Sequence, residues 1–165
     1  MGAFWRQPSA AYRDFQIVFT ILTLNFTLPA LTYTFDPHSA MEQFLRVNEL
    51  LGGAPYTFPE ADGRVWRYLA AANVMTLGFM CFLLQFDLRR FFPVLVPLTF
   101  MKAYAATCWL VGWLADRGAM FFLGAAVLDY GTSLAFVYFA RRAHRDLMAG
   151  AAVVPRPQGD RAGRP

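Results

Sequence analysis

The sequence from 92 to 114, FPVLVPLTFMKAYAATCWLVGWL, carries one charged side chain, Lys102, near its centre. A helix that crosses the hydrocarbon core of a bilayer needs about 20 mostly apolar residues. Residues 92–114 meet that requirement, and so do residues 15–33, 65–86 and 119–139. The sequence therefore predicts an all-α integral membrane protein, in which residues 15–146 form a four-helix transmembrane bundle.

The composition of the chain supports a membrane location. Hydrophobic residues make up 57% of the sequence and charged residues 16%, whereas a soluble domain usually holds about 25% charged residues. The net charge of +4 is modest, and most arginines flank the apolar segments. This pattern is typical of membrane topology signals and does not predict a nucleic-acid partner.

Arginine positions also predict the orientation of the bundle. Both chain ends and the short connection after the second apolar segment are rich in arginine, whereas the other connections mix arginine with acidic residues. Because basic residues favour the cytoplasmic side, we expect both termini in the cytoplasm. Residues 1–14 would be a cytoplasmic N-terminus, and residues 147–165 a cytoplasmic tail rich in Pro, Gly and Arg.

The outer loop, residues 34–64, is expected to contain a short amphipathic helix from about Ser39 to Leu51. Ser39 and Glu42 have the spacing of a capping box, and Asp36 followed by Pro37 is an alternative helix start. The apolar residues recur near helical spacing, and Gly52 follows the predicted end. This helix would lie on the outer membrane surface or fold over the mouth of the bundle.

Aromatic side chains in and after this loop are candidates for contact with another protein. We interpret them either as a docking surface for a partner subunit or as a connector that covers its own apolar face. The candidate docking residues are Phe44, Tyr56, Phe58 and Trp66.

Lys102 and Asp129 are predicted to lie at the same depth. Each is about ten residues into its apolar segment, or roughly 15 Å at 1.5 Å per residue, and the two segments are antiparallel. Asn25 and Asn73 lie near mid-depth in the first two segments. Charged residues at such positions usually face the interior of a bundle and often mark function.

Two interpretations of these four polar residues remain open. The pair could be a buried ion pair that fixes the register of the helices, with Asn25 and Asn73 hydrogen-bonded between helices. Alternatively, all four could line a pocket for a small amphiphilic ligand, a quinone or a proton. A third arrangement has Lys102 or Asp129 facing a partner subunit.

The sequence contains no motif for a bound cofactor, a metal or a catalytic triad. His38 and His144 are predicted on opposite sides of the membrane, so they would not bind one metal ion together. No catalytic residue is therefore expected. The abundance of aromatic residues, 17% of the chain, is compatible with contact with a quinone, a lipid or a pigment.

The layout resembles that of DoxX-like small bacterial four-helix membrane proteins. The resemblance rests on Leu51-Gly52-Gly53-Ala54-Pro55, on Trp66-Arg67-Tyr68-Leu69, on the turn Asp87-Leu88-Arg89-Arg90 and on Lys102. It covers about residues 10–146 and implies a location in the bacterial inner membrane. Some proteins of this type look like membrane subunits of oxidoreductase complexes that handle quinones.

We expect the chain to act as a non-catalytic accessory or structural subunit of a larger membrane complex, of the respiratory or photosynthetic type. Its partners would be other membrane subunits and lipids. The alternative is a protein that binds or transports a small ligand, a quinone or a lipid. A further alternative is a membrane enzyme that uses Lys102 and Asp129.

Overall fold

A computed structural model describes residues 9–57 and 63–150, which are almost entirely helical and contain no strand. The N-terminal residues 1–8, the segment 58–62 with Phe58, and the tail 151–165 lie outside the described residues. The helices are α1 (Ala10–Phe35), α2 (Pro37–Leu50), α3 (Gly63–Phe86), α4 (Leu88–Phe91), α5 (Leu95–Ala115) and α6 (Met120–Gly150), with a 3₁₀ turn (Phe92–Val94) before α5.

Four of these helices are long and apolar enough to cross a membrane. They are the segments Ala10–Phe35, Arg67–Phe86, Leu88–Ala115 and Met120–Gly150. The predicted all-α fold with four long apolar helices is thus confirmed. The helix α6 runs well past the predicted end at residue 139, because the polar sequence that follows continues the helix beyond the apolar stretch.

The long helices form a bundle in which α1 packs mainly against α3 and α6, and α5 packs mainly against α6. The core between them is aromatic at one end. Phe15, Phe19 and Phe136 are fully buried, and the rings of Phe19 and Phe136 lie 5.7 Å apart. Leu84 and Leu98 complete this core near the turn at Asp87. This buried cluster joins α1, α3, α5 and α6 at that end of the bundle.

Two glutamines join α1 to α3, and the sequence analysis did not single them out. Gln85 donates hydrogen bonds to the hydroxyl of Thr23 at 2.7 Å and to the carbonyl of Phe19 at 3.0 Å. Gln16 donates to the carbonyl of Gln85 at 3.1 Å. Hydrogen bonds between side chains and a neighbouring helix stabilise helix pairs in membranes, so these contacts hold α1 against α3.

The start of α2 resolves the two alternatives for its cap. The Asp36 carboxylate accepts hydrogen bonds from the Ser39 amide at 3.3 Å and from the Ser39 hydroxyl at 2.7 Å, and Pro37 occupies the first turn. The helix therefore begins at Pro37 rather than at Ser39. Asp36 also ends α1, where its amide donates to the carbonyl of Thr32 at 2.8 Å, so this residue sets the angle between the two helices.

The cap makes a pH-dependent contribution to α2. The hydrogen bonds from Ser39 hold the pKa of Asp36 below its usual value. A carboxyl with a lowered folded-state pKa stabilises the fold above its unfolded pKa, and that stabilisation is lost as the pH falls through the folded pKa. We expect the hydrogen-exchange protection of α2 to decrease in acid. In Asp36→Ala, protection should already be low at neutral pH and change little on acidification. An unchanged acid response in this variant would contradict the assignment of Asp36 as the cap.

Candidate ligand-binding site

Lys102 on α5 and Asp129 on α6 form the ion pair that their matching depths predict. The Lys102 ammonium donates to Asp129 Oδ1, and the Trp109 indole N–H donates to Asp129 Oδ2 at 3.2 Å. The ammonium also lies 5.0 Å from the centre of the Phe26 ring on α1. Both carboxylate oxygens thus have a partner, and the lysine is in cation–π contact with α1.

The pair lies at the edge of a large cavity rather than in a dry core. The cavity has a volume of about 740 Å³ and is bounded by α1, α2, α3, α5 and α6. All four polar residues predicted at mid-depth line it, and so do several aromatic rings. The lining includes Asn25, Phe26, Tyr33, Phe44, Asn73, Phe100, Lys102, Tyr104, Trp109 and Asp129.

Asn25 and Asn73 face this cavity and do not link helices. Both side chains are exposed and line the cavity wall. Within residues 9–57 and 63–150, neither amide forms a side-chain hydrogen bond. The interhelical hydrogen bonds that one interpretation assigned to these asparagines are therefore absent among the described residues. In an apolar environment an unpaired amide is costly, so each of these two can bind a polar group that enters the cavity.

The cavity is open on the side between α3 and α5. These two helices form few contacts with each other, in contrast to α1 with α3 and α5 with α6. Phe100 and Tyr104 of α5 line the cavity and expose 67% and 63% of their surface. A molecule with a long apolar chain can therefore occupy the cavity and extend out between α3 and α5.

Helix α2 closes the end of the cavity opposite the Asp87 turn. Ala40, Gln43, Phe44 and Val47 of this helix belong to the lining. The Phe44 ring lies 6.4 Å from Tyr33 on α1, so α2 folds over the mouth of the bundle, one of the two placements expected for it.

The aromatic residues considered for partner docking pack largely onto the bundle itself. The Phe44 ring lies 6.0 Å from the Phe121 ring, and the Tyr56 ring lies 5.3 Å from Phe121 and 6.1 Å from Phe122. These contacts fit a connector that covers its own apolar face. A docking role for Phe44 and Tyr56 stays a prediction, as it does for Phe58 and Trp66, whose side chains are outside the described part.

Asn48 fixes α2 and the following segment to α6, and the sequence analysis did not identify it. Its side chain is 2% exposed, donates to the carbonyl of Ala54 at 2.7 Å, and accepts from the amide of Phe121 at 3.2 Å. A Cβ atom at Gly53 would overlap this side chain. The signal was present in the sequence, since Asn48 lies four residues after Phe44 on the apolar stripe of α2.

Trp109 is the second residue of the site that the sequence analysis missed. It lies seven residues, or about two helical turns, after Lys102 and so shares its face of α5. That spacing could have identified it as a partner of Asp129. Phe26 gave no comparable signal, because its contact with Lys102 depends on how α1 packs against α5 and α6.

Comparison with known proteins adds no relative. No protein-family model, curated protein or solved structure matches this chain. Nor do any three His, Cys, Asp or Glu side chains in the described ranges come together as a set of metal ligands.

Proposed function

We propose that this chain is an integral membrane protein that binds a small amphiphilic molecule in the cavity beside Lys102 and Asp129. The observation that carries the proposal is the convergence of all four mid-depth polar residues on one cavity of about 740 Å³. Cavities that bind small molecules are typically about 300–1,000 Å³, mostly apolar, and contain a few convergent polar groups. This cavity fits that description.

The distribution of polar groups supports an amphiphile over a purely polar or purely apolar ligand. Lys102, Asp129, Asn25 and Asn73 contribute to the polar part of the lining, whereas Phe26, Val74, Leu77, Phe100 and Met101 contribute to its apolar part. A ligand with one polar head and one apolar body satisfies both regions at once. The opening between α3 and α5 would let the apolar body reach the surrounding lipid.

We propose the cytoplasmic membrane of a bacterium as the location, with both termini in the cytoplasm. Support comes from the arginines at the end of the bundle opposite α2. Arg89 at the α3–α4 turn donates to the carbonyl of Leu147 near the end of α6, at 2.7 Å, so the two basic segments lie together. Their side would be cytoplasmic by the positive-inside rule. The DoxX-like resemblance stays a prediction.

A saturable binding site can be detected through Trp109, since this residue lines the cavity. The measurement uses a variant in which Trp5, Trp66 and Trp113 are Phe, titrated in detergent with a monoacylglycerol that carries a dibrominated chain. We expect saturable quenching of Trp109 fluorescence. Ala105 lines the cavity, so the larger side chain in Ala105→Phe should occupy part of it. The ligand concentration that gives half-maximal quenching should then rise about tenfold or more.

The matched control is Ala72→Phe on α3. Ala72 is exposed and does not belong to the cavity lining, so this variant should bind like the parent. Quenching that rises linearly without saturation, and equally in both variants, would show partition into the detergent and would contradict the proposed site.

An accessory or structural role in a larger membrane complex, the function first expected from the sequence, stays a prediction. A subunit of this kind would co-purify with other chains in mild detergent. Ligand binding in the cavity does not conflict with such a role, because exposed apolar residues outside the lining, such as Phe79 on α3 and Leu134 on α6, are left for other contacts.

A further inference from the structure

We infer that the head of the bound molecule is uncharged and carries both hydroxyl and carbonyl oxygens, as in a monoacylglycerol. This inference rests on the proposed function and specifies its ligand class. Three features of the cavity lead to it: the charge balance of the wall, the hydrogen-bonding groups left without partners, and the position of the opening.

The charge balance excludes a charged head. Among the residues that the structure describes, Lys102 and Asp129 are the only charged side chains in the cavity lining, and they neutralise each other in direct contact. Each oxygen of Asp129 already accepts one hydrogen bond, from Lys102 or from Trp109. A carboxylate or an ammonium entering beside this pair would be a third charge without a counter-charge, which is costly in a region of low dielectric.

The unpartnered groups require both donors and acceptors from the ligand. An ammonium has three N–H donors, and Asp129 is the single hydrogen-bond acceptor that Lys102 contacts among the described residues. The remaining N–H groups can donate to a carbonyl or hydroxyl oxygen of a ligand. Asn25 and Asn73 each offer an NH₂ group that donates and a carbonyl oxygen that accepts.

The cavity needs hydrogen-bond donors from the ligand. This need favours a head group with hydroxyls over one that only accepts hydrogen bonds. The carbonyl oxygens of Asn25 and Asn73 are satisfied by a ligand hydroxyl but not by a ketone or an ester alone. A glycerol ester supplies two hydroxyl groups and one carbonyl, which are the donors and acceptors that these amides and Lys102 can pair with. The ligand is therefore expected to be a neutral hydroxy-ester.

The position of the opening indicates where the acyl chain of the ligand would lie. Lys102 is buried, whereas the lining residues Phe100 and Tyr104 of α5 are exposed, and α5 forms few contacts with α3. With its head at Lys102, a ligand would direct its chain out between α3 and α5. Such a molecule would enter sideways from the lipid and would not have to pass α2.

The test compares three amphiphiles with the same dibrominated stearoyl chain and different heads: the glycerol ester, the free carboxylate and the corresponding primary amine. Each is titrated against the single-tryptophan protein at neutral pH, and quenching of Trp109 is recorded. We expect the glycerol ester to bind at least about tenfold more tightly than either charged compound. Equal or tighter binding of the carboxylate or the amine would overturn the inference while leaving the proposed site intact.

Variants of the two asparagines test the hydrogen-bonding argument. Asn25→Leu and Asn73→Leu should each weaken binding of the glycerol ester about fivefold, as the loss of one hydrogen bond implies. Thr76→Val is the control, because Thr76 lies on α3, bonds the carbonyl of Ala72 in its own helix and does not line the cavity. If no compound quenches saturably, the proposed function itself fails; if the asparagine variants bind like Thr76→Val, only the head-group inference fails.

Discussion

Lys102→Met is expected to lower the free energy of unfolding by about 3–5 kcal/mol, the cost of leaving one partner of a buried ion pair unpaired. Asp129→Leu should have a similar effect. The side chains of Lys102 and Asp129 are only 11% and 14% exposed, so the remaining charge would stay largely shielded from bulk solvent. Unfolding of the detergent-solubilised protein by a denaturing detergent, followed by circular dichroism, measures both values.

The double variant that combines Lys102→Met with Asp129→Leu tests whether the two side chains interact. Replacing a buried pair with apolar side chains of similar size is often close to neutral. We therefore expect the double variant to be more stable than either single variant. If the two single losses add up in the double variant, Lys102 and Asp129 do not interact and the assigned pair is wrong.

Asn48→Ala is expected to lower the free energy of unfolding by about 2–4 kcal/mol, because it removes two hydrogen bonds between a buried side chain and the backbone. The backbone partners are the carbonyl of Ala54 and the amide of Phe121, which Asn48 contacts at 2.7 Å and 3.2 Å. The same unfolding assay measures the loss. Hydrogen exchange should also increase at the start of α6, where the Phe121 amide loses its hydrogen bond to Asn48.

The matched control for Asn48→Ala is Asn73→Ala, the same chemical change at an exposed asparagine. Because Asn73 forms no side-chain hydrogen bond in the described part of the chain, its replacement should change stability by no more than about 0.5 kcal/mol. Equal effects of the two replacements would contradict the role of Asn48 in holding α2 and residues 52–56 against α6.

The long helices and the ion pair followed from the sequence because both depend on position along a helix. Lys102 and Asp129 lie at similar distances from the ends of antiparallel segments, and helical rise converts those distances to equal depth. Helix length could be read from the same apolar stretches. The end of α6 could not, since hydropathy marks the apolar part of a helix and not the polar turns that continue it.

The cavity could not be predicted from the sequence, since it depends on how far the helices separate. A pattern of apolar residues predicts which face of a helix is buried, but it does not predict that α3 and α5 stay apart. Asn25 and Asn73 illustrate the difference. Their depth was evident from the sequence, whereas their exposure to a cavity was a property of the packing.

The polar contacts inside the bundle could not be predicted from the sequence either. Gln16 and Gln85 lie near the ends of apolar segments, where the sequence offered no reason to pair them. Their contact depends on the close packing of α1 against α3. In contrast, the sequence predicted the Asp36 cap as one of two alternatives, because capping is a local property of a few consecutive residues.

The central claim is that an amphiphile occupies the cavity beside Lys102, and photolabelling tests it most directly. The protein in lipid nanodiscs is irradiated with a monoacylglycerol that carries a diazirine in its chain, and the adducts are mapped by mass spectrometry. We expect adducts on cavity residues such as Phe26, Val74 and Met101, and excess unlabelled monoacylglycerol should remove them. Adducts confined to outward-facing residues such as Phe79 and Val96, and unchanged by the competitor, would contradict it.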